Sequence, residues 1–218
     1  MTRPDLMYHT SHLAKYMQSP STDAHEALLN VLQYSYHQRH LGITYGGEAK
    51  VGYTKIDEDP ATTIIVHADA AFGEPKPMLG GFVQWRNGAV AWHARQANFV
   101  PQSTAEQEVG AAVVMLKEGR FTGAIATDMG ARVTMPMAAI TDSKAGFDII
   151  NNVGVTKHST HFLRRLHFAR EMVLRNEAHM YLERSEYMMA DADTKVVTRD
   201  KFLMCRAFKM NLASGMQR

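Results

Sequence analysis

The chain has 218 residues, 45% of them hydrophobic, which fits a globular protein with one good core and a smaller appendage. Lys and Arg number 24 and Asp and Glu number 22, so overall charge does not select a polyanionic partner and a nucleic acid would need a local basic patch. A single cysteine excludes an internal disulfide and a multi-thiolate zinc site. The apolar runs are too short to span a bilayer or to form a signal peptide, so we expect a cytoplasmic protein without a membrane partner.

The first forty residues carry the spacing of two helices. The first is expected to run from Pro4 to a stop at Pro20. In the second, Asp23 is the predicted N-cap and Glu26 its capping-box partner. The apolar face of this second helix is expected to contain Ala27, Leu28, Val31, Leu32 and Tyr34. Together they predict a helical hairpin, which a stretch rich in Gly, Pro and charge at 46–60 separates from the rest.

Beyond this stretch the pattern changes to strands. The segment TTIIVHAD predicts a buried strand that ends on Asp69. Two more strands are expected at 78–87 and 88–96, joined at the hairpin dipeptide Asn87-Gly88. These three strands predict an antiparallel meander.

The following segments alternate between helix and strand. Ser103 and Glu106 predict a capping box that starts a helix over 103–119. The apolar stripe of this helix is expected to contain Val109, Ala112, Val113 and Leu116. A fourth strand ends on Asp142 and is followed by a short helix, a long basic helix, a fifth strand and a helical tail over 185–212. This order predicts an α/β fold with a mixed sheet, in which ligands gather at the carboxyl ends of strands.

Several acids occupy positions that favour a shared site. Asp69 and Asp142 end strands, Glu108 borders an apolar stripe early in its helix, and Asp191 or Asp193 opens the last helical segment. Crowded carboxylates repel each other, and divalent cations relieve that repulsion. Four acids around a phosphodiester therefore suggest a two-magnesium site. Each acid taken singly is also explained as a turn former or a helix cap, so the joint placement carries this interpretation.

Ordered motifs along the chain resemble the end of the polyprotein of copia-type LTR retrotransposons, where the last part of the reverse transcriptase precedes its ribonuclease H domain. RPDLMYHTSHLAKYMQSPSTDAHEALLNVLQY resembles the helical connection segment of that family. GGFVQWRNGAVAWHARQANFVPQSTAEQE resembles its strand pair and helix start, and TKHSTHFLRRLHFARE its Thr-Lys-His helix. MADADTK resembles the closing Ala-Asp-x-x-Thr-Lys motif. The resemblance covers Thr2 to about Leu212, and the order of several motifs makes it specific.

This resemblance implies a ribonuclease H-like α/β fold, with a five-stranded mixed sheet of three antiparallel and then two parallel strands, flanked by helices. It implies a connection segment at 1–55 and a ribonuclease H-like domain at 60–218. The implied activity is hydrolysis of the RNA strand of RNA:DNA hybrids by two magnesium ions, for which manganese is a substitute. The implied partners are the hybrid and the rest of a reverse transcriptase polyprotein, in the cytoplasm or in a retrotransposon particle.

Carried over by position, the resemblance implies a catalytic and metal-binding role for Asp69, Glu108, Asp142 and Asp191. Asp69 would bridge both ions, Glu108 and Asp142 would complete one, and Asp191 the other. Asp193 stands where the family usually has an apolar residue, so it ranks below Asp191. Contacts with the nucleic acid backbone are expected from the basic residues Lys144, Lys157, Lys195 and Arg199.

The chain departs from the family motifs at two points, and only the first bears on function. The family's Asp-Ala-Asp-Trp is Asp69-Ala70-Ala71-Phe72 here, and its Asp-Asn after the fourth strand is Asp142-Ser143. The first change keeps open a catalytically weak module that binds a hybrid or a partner protein. Another nuclease of the same superfamily, acting on DNA duplexes or junctions, also remains an alternative. The chain has no Asp-Asp pair, so we do not expect it to synthesise DNA alone.

Overall fold

The computed structural model describes residues 3–46, 56, 58–59, 61–72, 76–152 and 162–212. The strands are β1 (Thr63–Ala71), β2 (Met78–Trp85), β3 (Gly88–Gln96), β4 (Thr134–Thr141) and β5 (Ala178–Leu182). The helices are α1 (Met7–Ala14), α2 (Thr22–His37), α3 (Thr104–Asp128), α4 (Lys144–Asn151), α5 (Leu163–Leu174), α6 (Asp191–Thr194) and α7 (Arg199–Met210), with single 3-10 turns at Pro4–Leu6 and Ser185–Tyr187. Every helix in the described ranges is too short or too polar to cross a lipid bilayer.

The five strands form one sheet in the order β3-β2-β1-β4-β5. β2 pairs antiparallel with both β1 and β3, whereas β4 pairs parallel with both β1 and β5. Three antiparallel strands followed by two parallel ones, covered by helices, confirm the ribonuclease H-like fold predicted from the sequence. β1 lies at the centre of the sheet, which explains its nearly continuous run of apolar residues.

Alternate residues of β1 belong to separate cores on the two faces of the sheet. Ile64 and Val66 pack with α3 and α5 on one face, whereas Ile65 packs with Cys205 and Phe208 of α7 on the other. Successive side chains of a strand point to opposite faces, so both faces of β1 are buried. Each large aliphatic side chain buried in this way stabilises the fold by about 1.5–3 kcal/mol. β1 is therefore a firm support for the residues at its carboxyl end.

Helix α3 starts where the sequence predicts and ends later. Ser103 is its N-cap and accepts a hydrogen bond from Glu106 N at 3.1 Å. The return bond runs from Gln102 N to Glu106 Oε2 at 2.8 Å, one residue before the usual capping-box position. The helix continues past Gly119, where a Cβ would lie 2.6 Å from Val66 Cγ2, so this glycine lets α3 approach β1 and does not end the helix. The predicted stripe is buried, at Val109, Ala112, Val113 and Leu116.

The hairpin between β2 and β3 turns one residue earlier than the sequence predicted. Trp85 pairs with Gly88, so the loop residues are Arg86 and Asn87 and not Asn87 and Gly88. Both loop residues have positive φ angles, 50° and 66°, as a type I′ turn requires. Gly88 is needed for a different reason, because a Cβ there would lie 2.8 Å from Thr44 O.

The two N-terminal helices contact each other as the predicted hairpin, but their ends differ from the prediction. α1 stops at Ala14, well before Pro20. Ser21, and not Asp23, is the N-cap of α2, since its side chain accepts a hydrogen bond from Ala24 N at 3.2 Å. Serine and aspartate are equally good N-caps, so the sequence pattern could not choose between them.

α2 leaves most of its apolar face exposed. Leu28 and Leu32, which were expected on that face, are 43% and 55% exposed. α2 is held instead through Tyr34, whose hydroxyl donates to Asp5 Oδ2 (2.6 Å) and accepts from Arg206 Nη1 (3.1 Å). Polar contacts through Tyr34 therefore connect the hairpin to α7.

The segment after β5 is helical only in part, so the prediction of one helical tail was wrong. α6 is a single turn, and α7 begins after its N-cap Thr198, whose side chain accepts a hydrogen bond from Lys201 N at 3.4 Å. Both helices lie over the antiparallel part of the sheet, because α6 contacts β1, β2 and β3, and α7 contacts β3 and packs on Ile65 of β1. The break brings Asp191, the first residue of α6, to the end of β1.

Candidate metal centre

Asp69 lies near the carboxyl end of β1, where it pairs with Gly80 of β2. The residue is only 2% exposed, which is unusual for a carboxylate. Thr194 Oγ1 donates a hydrogen bond to Asp69 Oδ2 and thereby orients the carboxylate. Burial raises the pKa of Asp69, and the neighbouring Asp191 and Asp142 carboxylates act in the same direction. A buried acid with other acids beside it is costly unless a cation shares the site.

Three carboxylates converge at this end of the sheet. Asp142 directly follows β4, the parallel neighbour of β1, so both strands deliver an acid to the same edge. Asp191 comes from α6, which packs over β1 and β2. Oxygens of Asp69, Asp142 and Asp191 lie within 4.8 Å of one another. We call these three residues and Glu108 the acid cluster.

Glu108 joins the acid cluster from α3. The helix α4 packs closely beside it at Gly146, where a Cβ would lie 3.3 Å from Glu108 Cβ. The Oε2 atom of Glu108 is buried and has no hydrogen-bond partner among the described residues. Burial and then the Asp69 and Asp142 charges raise the pKa of Glu108 to about 9, partly offset by the Ala70 amide. Glu108 is therefore protonated at neutral pH when no cation is bound.

Two lysines contact the acid cluster. Lys195 Nζ lies 2.6 Å from Asp191 Oδ1 and 3.7 Å from Asp69 Oδ2. Lys201 Nζ lies 3.2 Å from Asp191 Oδ2 and also donates to the backbone carbonyl of Glu186 at 2.7 Å. Burial opposes the charge of Lys195, but the Asp69 and Asp191 carboxylates outweigh it and raise the pKa of this lysine. The ammonium groups thus neutralise part of the cluster's charge.

Asp193 points away from the acid cluster into a different contact. It is fully buried and pairs with Lys209, whose Nζ lies 2.6 Å from Asp193 Oδ1. Burial raises the pKa of Asp193 to about 6, and the Lys209 ammonium opposes that rise. Of the two aspartates that open α6, the structure therefore places Asp191, and not Asp193, beside Asp69 and Asp142.

The chemistry of this donor set fits a divalent cation. Magnesium takes oxygen ligands and is usually held by one or two carboxylates, with water and substrate phosphate completing its shell. The three converging aspartates offer such ligands. The partnerless Oε2 of Glu108 is a further buried oxygen that a cation would satisfy. A bound cation would also oppose the burial and the repulsion that together keep Glu108 protonated.

The basic residues expected to bind substrate lie in different surroundings. Lys144 is exposed, and its Nζ lies 3.2 Å from Asp148 Oδ2. Lys195 reaches into the acid cluster, whereas Arg199 is exposed at the start of α7. Lys157 lies outside the described residues.

A cavity of about 620 Å³ lies between the N-terminal helices and the segment around α6 and α7. Its apolar lining includes Leu6, Val31 and Phe202. Lys195 and Arg199 also line it, so the cavity lies next to the acid cluster. No sequence pattern predicted this cavity, because it forms between elements far apart in the chain.

Thr194 and Lys209 are site-supporting residues that the sequence reasoning missed. A threonine hydroxyl and a distant lysine carry no spacing signal of their own, since their partners are set by the tertiary fold. The pair formed by Asp191 and Lys195 could have been found, because residues four apart on a helix face the same side.

The sheet order defines a ribonuclease H-like fold. No family model matches it. Among curated proteins it is 26% identical over 207 residues to the retrovirus-related Pol polyprotein from transposon TNT 1-94 of Nicotiana tabacum, covering 94% of this chain and 15% of that protein. It is 22% identical over 205 residues to the Pol polyprotein from transposon RE1 of Arabidopsis thaliana, covering 92% of this chain and 13% of that protein. Its homologues are thus retrovirus-related Pol polyproteins from plant transposons, which confirms the resemblance, and the chain spans about one seventh of their length.

Ribonuclease H domains are among the similar solved structures. The N-terminal ribonuclease H domain of a Mycobacterium tuberculosis protein is 14% identical to this chain. Its superposition has a TM-score of 0.46 and covers 61% of this chain and 91% of that one. Ribonuclease H1 from Halobacterium salinarum is 16% identical to this chain. Its superposition has a TM-score of 0.46 and covers 61% of this chain and 94% of that one.

Proposed function

We propose that this chain is a metal-dependent endoribonuclease that hydrolyses the RNA strand of RNA:DNA hybrids during retrotransposon reverse transcription. One observation carries the proposal: three aspartates from separate elements converge within 4.8 Å at the end of the central strand. The buried Oε2 atom of Glu108 beside them, which has no hydrogen-bond partner in the part of the chain that the structure describes, supports it further. The homologous Pol polyproteins favour the same class of activity.

In this proposal Asp69, Glu108, Asp142 and Asp191 hold two magnesium ions. When bound, the ions would activate a water molecule and stabilise the negative charge on the phosphate and the leaving oxygen. Asp69 is suited to a central position because Asp142 and Asp191 both lie close to it. Thr194 fixes the orientation of its carboxylate. Glu108 becomes a ligand only after losing its proton. The expected products carry a 5′-phosphate and a 3′-hydroxyl.

Recognition of the hybrid is proposed to use the phosphate backbone and 2′-hydroxyls, because side chains cannot enter the deep, narrow major groove of an A-form-like helix to read its bases. Lys144 and Arg199 are exposed, and the Lys144 ammonium would exchange its partner Asp148 for a phosphate. Lys157 and Lys195 complete the proposed substrate-binding set.

We also propose that residues 1–55 act as a connection segment and residues 60–218 as the nuclease domain, with the rest of a Pol polyprotein as a partner. Contacts between the two parts are extensive. Tyr8 of α1 packs with Met78 and Ala94 of the sheet, and Leu41 packs with Met210 of α7. The connection segment is therefore expected to stabilise the nuclease domain when both are expressed together.

The test is cleavage of an end-labelled RNA:DNA hybrid by the purified chain with magnesium or manganese. Asp69→Asn should reduce cleavage to background, because it removes the charge of the most buried acid of the cluster. Asp128→Asn is a matched control, since this acid is exposed at the opposite end of α3 from Glu108. Equal cleavage by the wild type and Asp69→Asn would refute the proposed chemistry.

Substrate controls separate the two alternatives. Metal-dependent cleavage of duplex or branched DNA, and not of the hybrid, would identify another nuclease of the same superfamily. Tight binding of the hybrid without cleavage would identify a binding module. The first family departure, at Ala70-Ala71-Phe72, makes this binding measurement necessary.

A further inference from the structure

The Lys195 ammonium lies within the acid cluster, where cations are expected to bind. It contacts two of the three converging aspartates, with distances of 2.6 Å to Asp191 Oδ1 and 3.7 Å to Asp69 Oδ2. Both partners are buried, whereas 47% of the Lys195 side chain is exposed. The lysine thus reaches in from the surface and neutralises carboxylates that would otherwise repel each other.

The two lysines at the cluster are held differently. Lys201 donates to the backbone carbonyls of Ser185 (3.1 Å) and Glu186 (2.7 Å), so its position is fixed independently of Asp191. Among the described residues, the Lys195 ammonium forms ion pairs only with acids of the cluster. Its long flexible stem allows the ammonium to turn into water once its contacts with these two acids are broken. Lys195 is therefore the one of the two that can leave.

A divalent ion and this ammonium cannot occupy the cluster together. A cation shared by Asp69 and Asp191 would lie within a few ångströms of Lys195 Nζ, where like charges repel by several kcal/mol at an effective dielectric constant of about 20. Metal binding must consequently displace the ammonium. The work of displacement lowers the affinity of the site for metal.

We propose that Lys195 is an internal counter-cation, which holds the acid cluster together without metal and sets its metal affinity by being displaced when a divalent ion binds. The proposal rests on the proposed function, because it requires the acid cluster to be the metal site. It assigns Lys195 a positioning role toward Asp69 and Asp191 that differs from its expected contact with substrate.

The experiment measures manganese binding by titration calorimetry on the full chain without nucleic acid. Lys195→Met should bind manganese at least about tenfold more tightly than the wild type, because no ammonium has to be displaced. Lys195→Arg keeps the cation and should bind no more tightly than the wild type. Lys76→Met removes one charge near the same end of β1 and β2 without touching the acids, so its affinity should change by about twofold or less.

Thermal unfolding supplies a second measurement that does not depend on catalysis. Without metal, Lys195→Met should unfold at a lower temperature than the wild type, because its carboxylates are less neutralised. Added manganese should then raise its unfolding temperature more than it raises that of the wild type. If Lys195→Met does not fold without metal, Lys195→Gln and the manganese-dependent rise in unfolding temperature make the same comparison.

An unchanged or weaker manganese affinity of Lys195→Met would overturn the proposal, and so would an equal gain in Lys76→Met. Asp69→Asn separates this failure from that of the proposed function. If Asp69→Asn binds manganese as the wild type does, the acid cluster is not the metal site and both proposals fall. If Asp69→Asn loses binding while Lys195→Met is unchanged, only the counter-cation is refuted.

Discussion

Lys209 Nζ lies 2.6 Å from Asp193 Oδ1, and both side chains are almost completely buried. This pair connects α7 to α6, the helix that carries Asp191. Removing one partner leaves a buried charge without compensation, so Lys209→Met should lower the free energy of unfolding by about 3–5 kcal/mol. Chemical denaturation of Lys209→Met, Asp193→Asn and the double variant measures the coupling. Additive effects of the two changes would show that the pair contributes nothing as a pair.

Protonation of Glu108 predicts a pH dependence of stability. Its pKa is raised to about 9 in the folded protein, against 4.5 as the ordinary value, so between these values the folded chain holds a proton that the unfolded chain has released. The stability from this group is fully present below pH 4.5 and is lost as pH rises to about 9. Over this range, the contribution of Glu108 to the free energy of unfolding falls by at most about 1.4 kcal/mol per pH unit. Urea denaturation at several pH values, in the presence of a chelator, measures the effect. With rising pH, the free energy of unfolding should decline less for Glu108→Gln than for the wild type.

Thr194 predicts a supporting effect on the acid cluster. Its hydroxyl donates to Asp69 Oδ2, so Thr194→Val leaves that carboxylate free to rotate. Loss of a hydrogen bond that orients a metal ligand costs about 10–100-fold in metal affinity or activity. Thr194→Ser keeps the hydroxyl and should retain most of both. Manganese titration of the two variants measures the difference, and equal losses in both would assign the effect to packing.

Two glycines of α3 predict opposite effects on stability. A Cβ at Gly123 would meet only ordinary contacts, the nearest at 3.7 Å, so Gly123→Ala should stabilise the protein by about 0.5–1 kcal/mol. A Cβ at Gly119 would lie 2.6 Å from Val66 Cγ2, so Gly119→Ala should destabilise it by about 1–3 kcal/mol. Thermal unfolding of both variants tests the packing of α3 on β1. A gain in both would mean that α3 can move away from the sheet without cost.

The Tyr34 hydroxyl predicts how firmly the N-terminal hairpin is attached. Tyr34→Phe removes a partner from both Asp5 and Arg206, which are buried, and should cost about 1–3 kcal/mol. Tyr36→Phe is the matched control, because this residue is 65% exposed and should change stability little. Limited proteolysis of the two variants shows whether the hairpin detaches first. Equal resistance would exclude a role of this hydroxyl in attachment.

The sequence predicted the parts of the fold that depend on local patterns. The apolar run before Asp69 indicated a buried strand, and parallel strands necessarily end at one edge, so the approach of Asp142 could be expected. Ser103 was found as an N-cap because the signal lies within four residues. Local patterns also explain the errors. Ser21 competes with Asp23 as a cap, and only the cross-strand register decides between the possible hairpin turns.

Contacts between distant segments could not be predicted in the same way. Lys195 was expected to face the substrate, but the short α6 turns its ammonium toward Asp191. The resemblance ranked Asp191 above Asp193, but the pairing of Asp193 with Lys209 could not be predicted, because the position of Lys209 is set by α7. A periodic pattern on α2 indicated an apolar face but not what covers it, and Leu32 remains exposed.

The docking of α6 and α7 determines at what stage of folding the acid cluster is complete. Asp69 is placed as soon as the central strand pairs, but Asp191 is secured only when the chain has been made as far as Lys209. Contacts between segments as far apart in the sequence as β1 and α6 form late in folding. During synthesis on the ribosome, the proposed nuclease would therefore stay inactive until nearly all of the described chain has emerged, and a truncated product would carry the sheet without the activity.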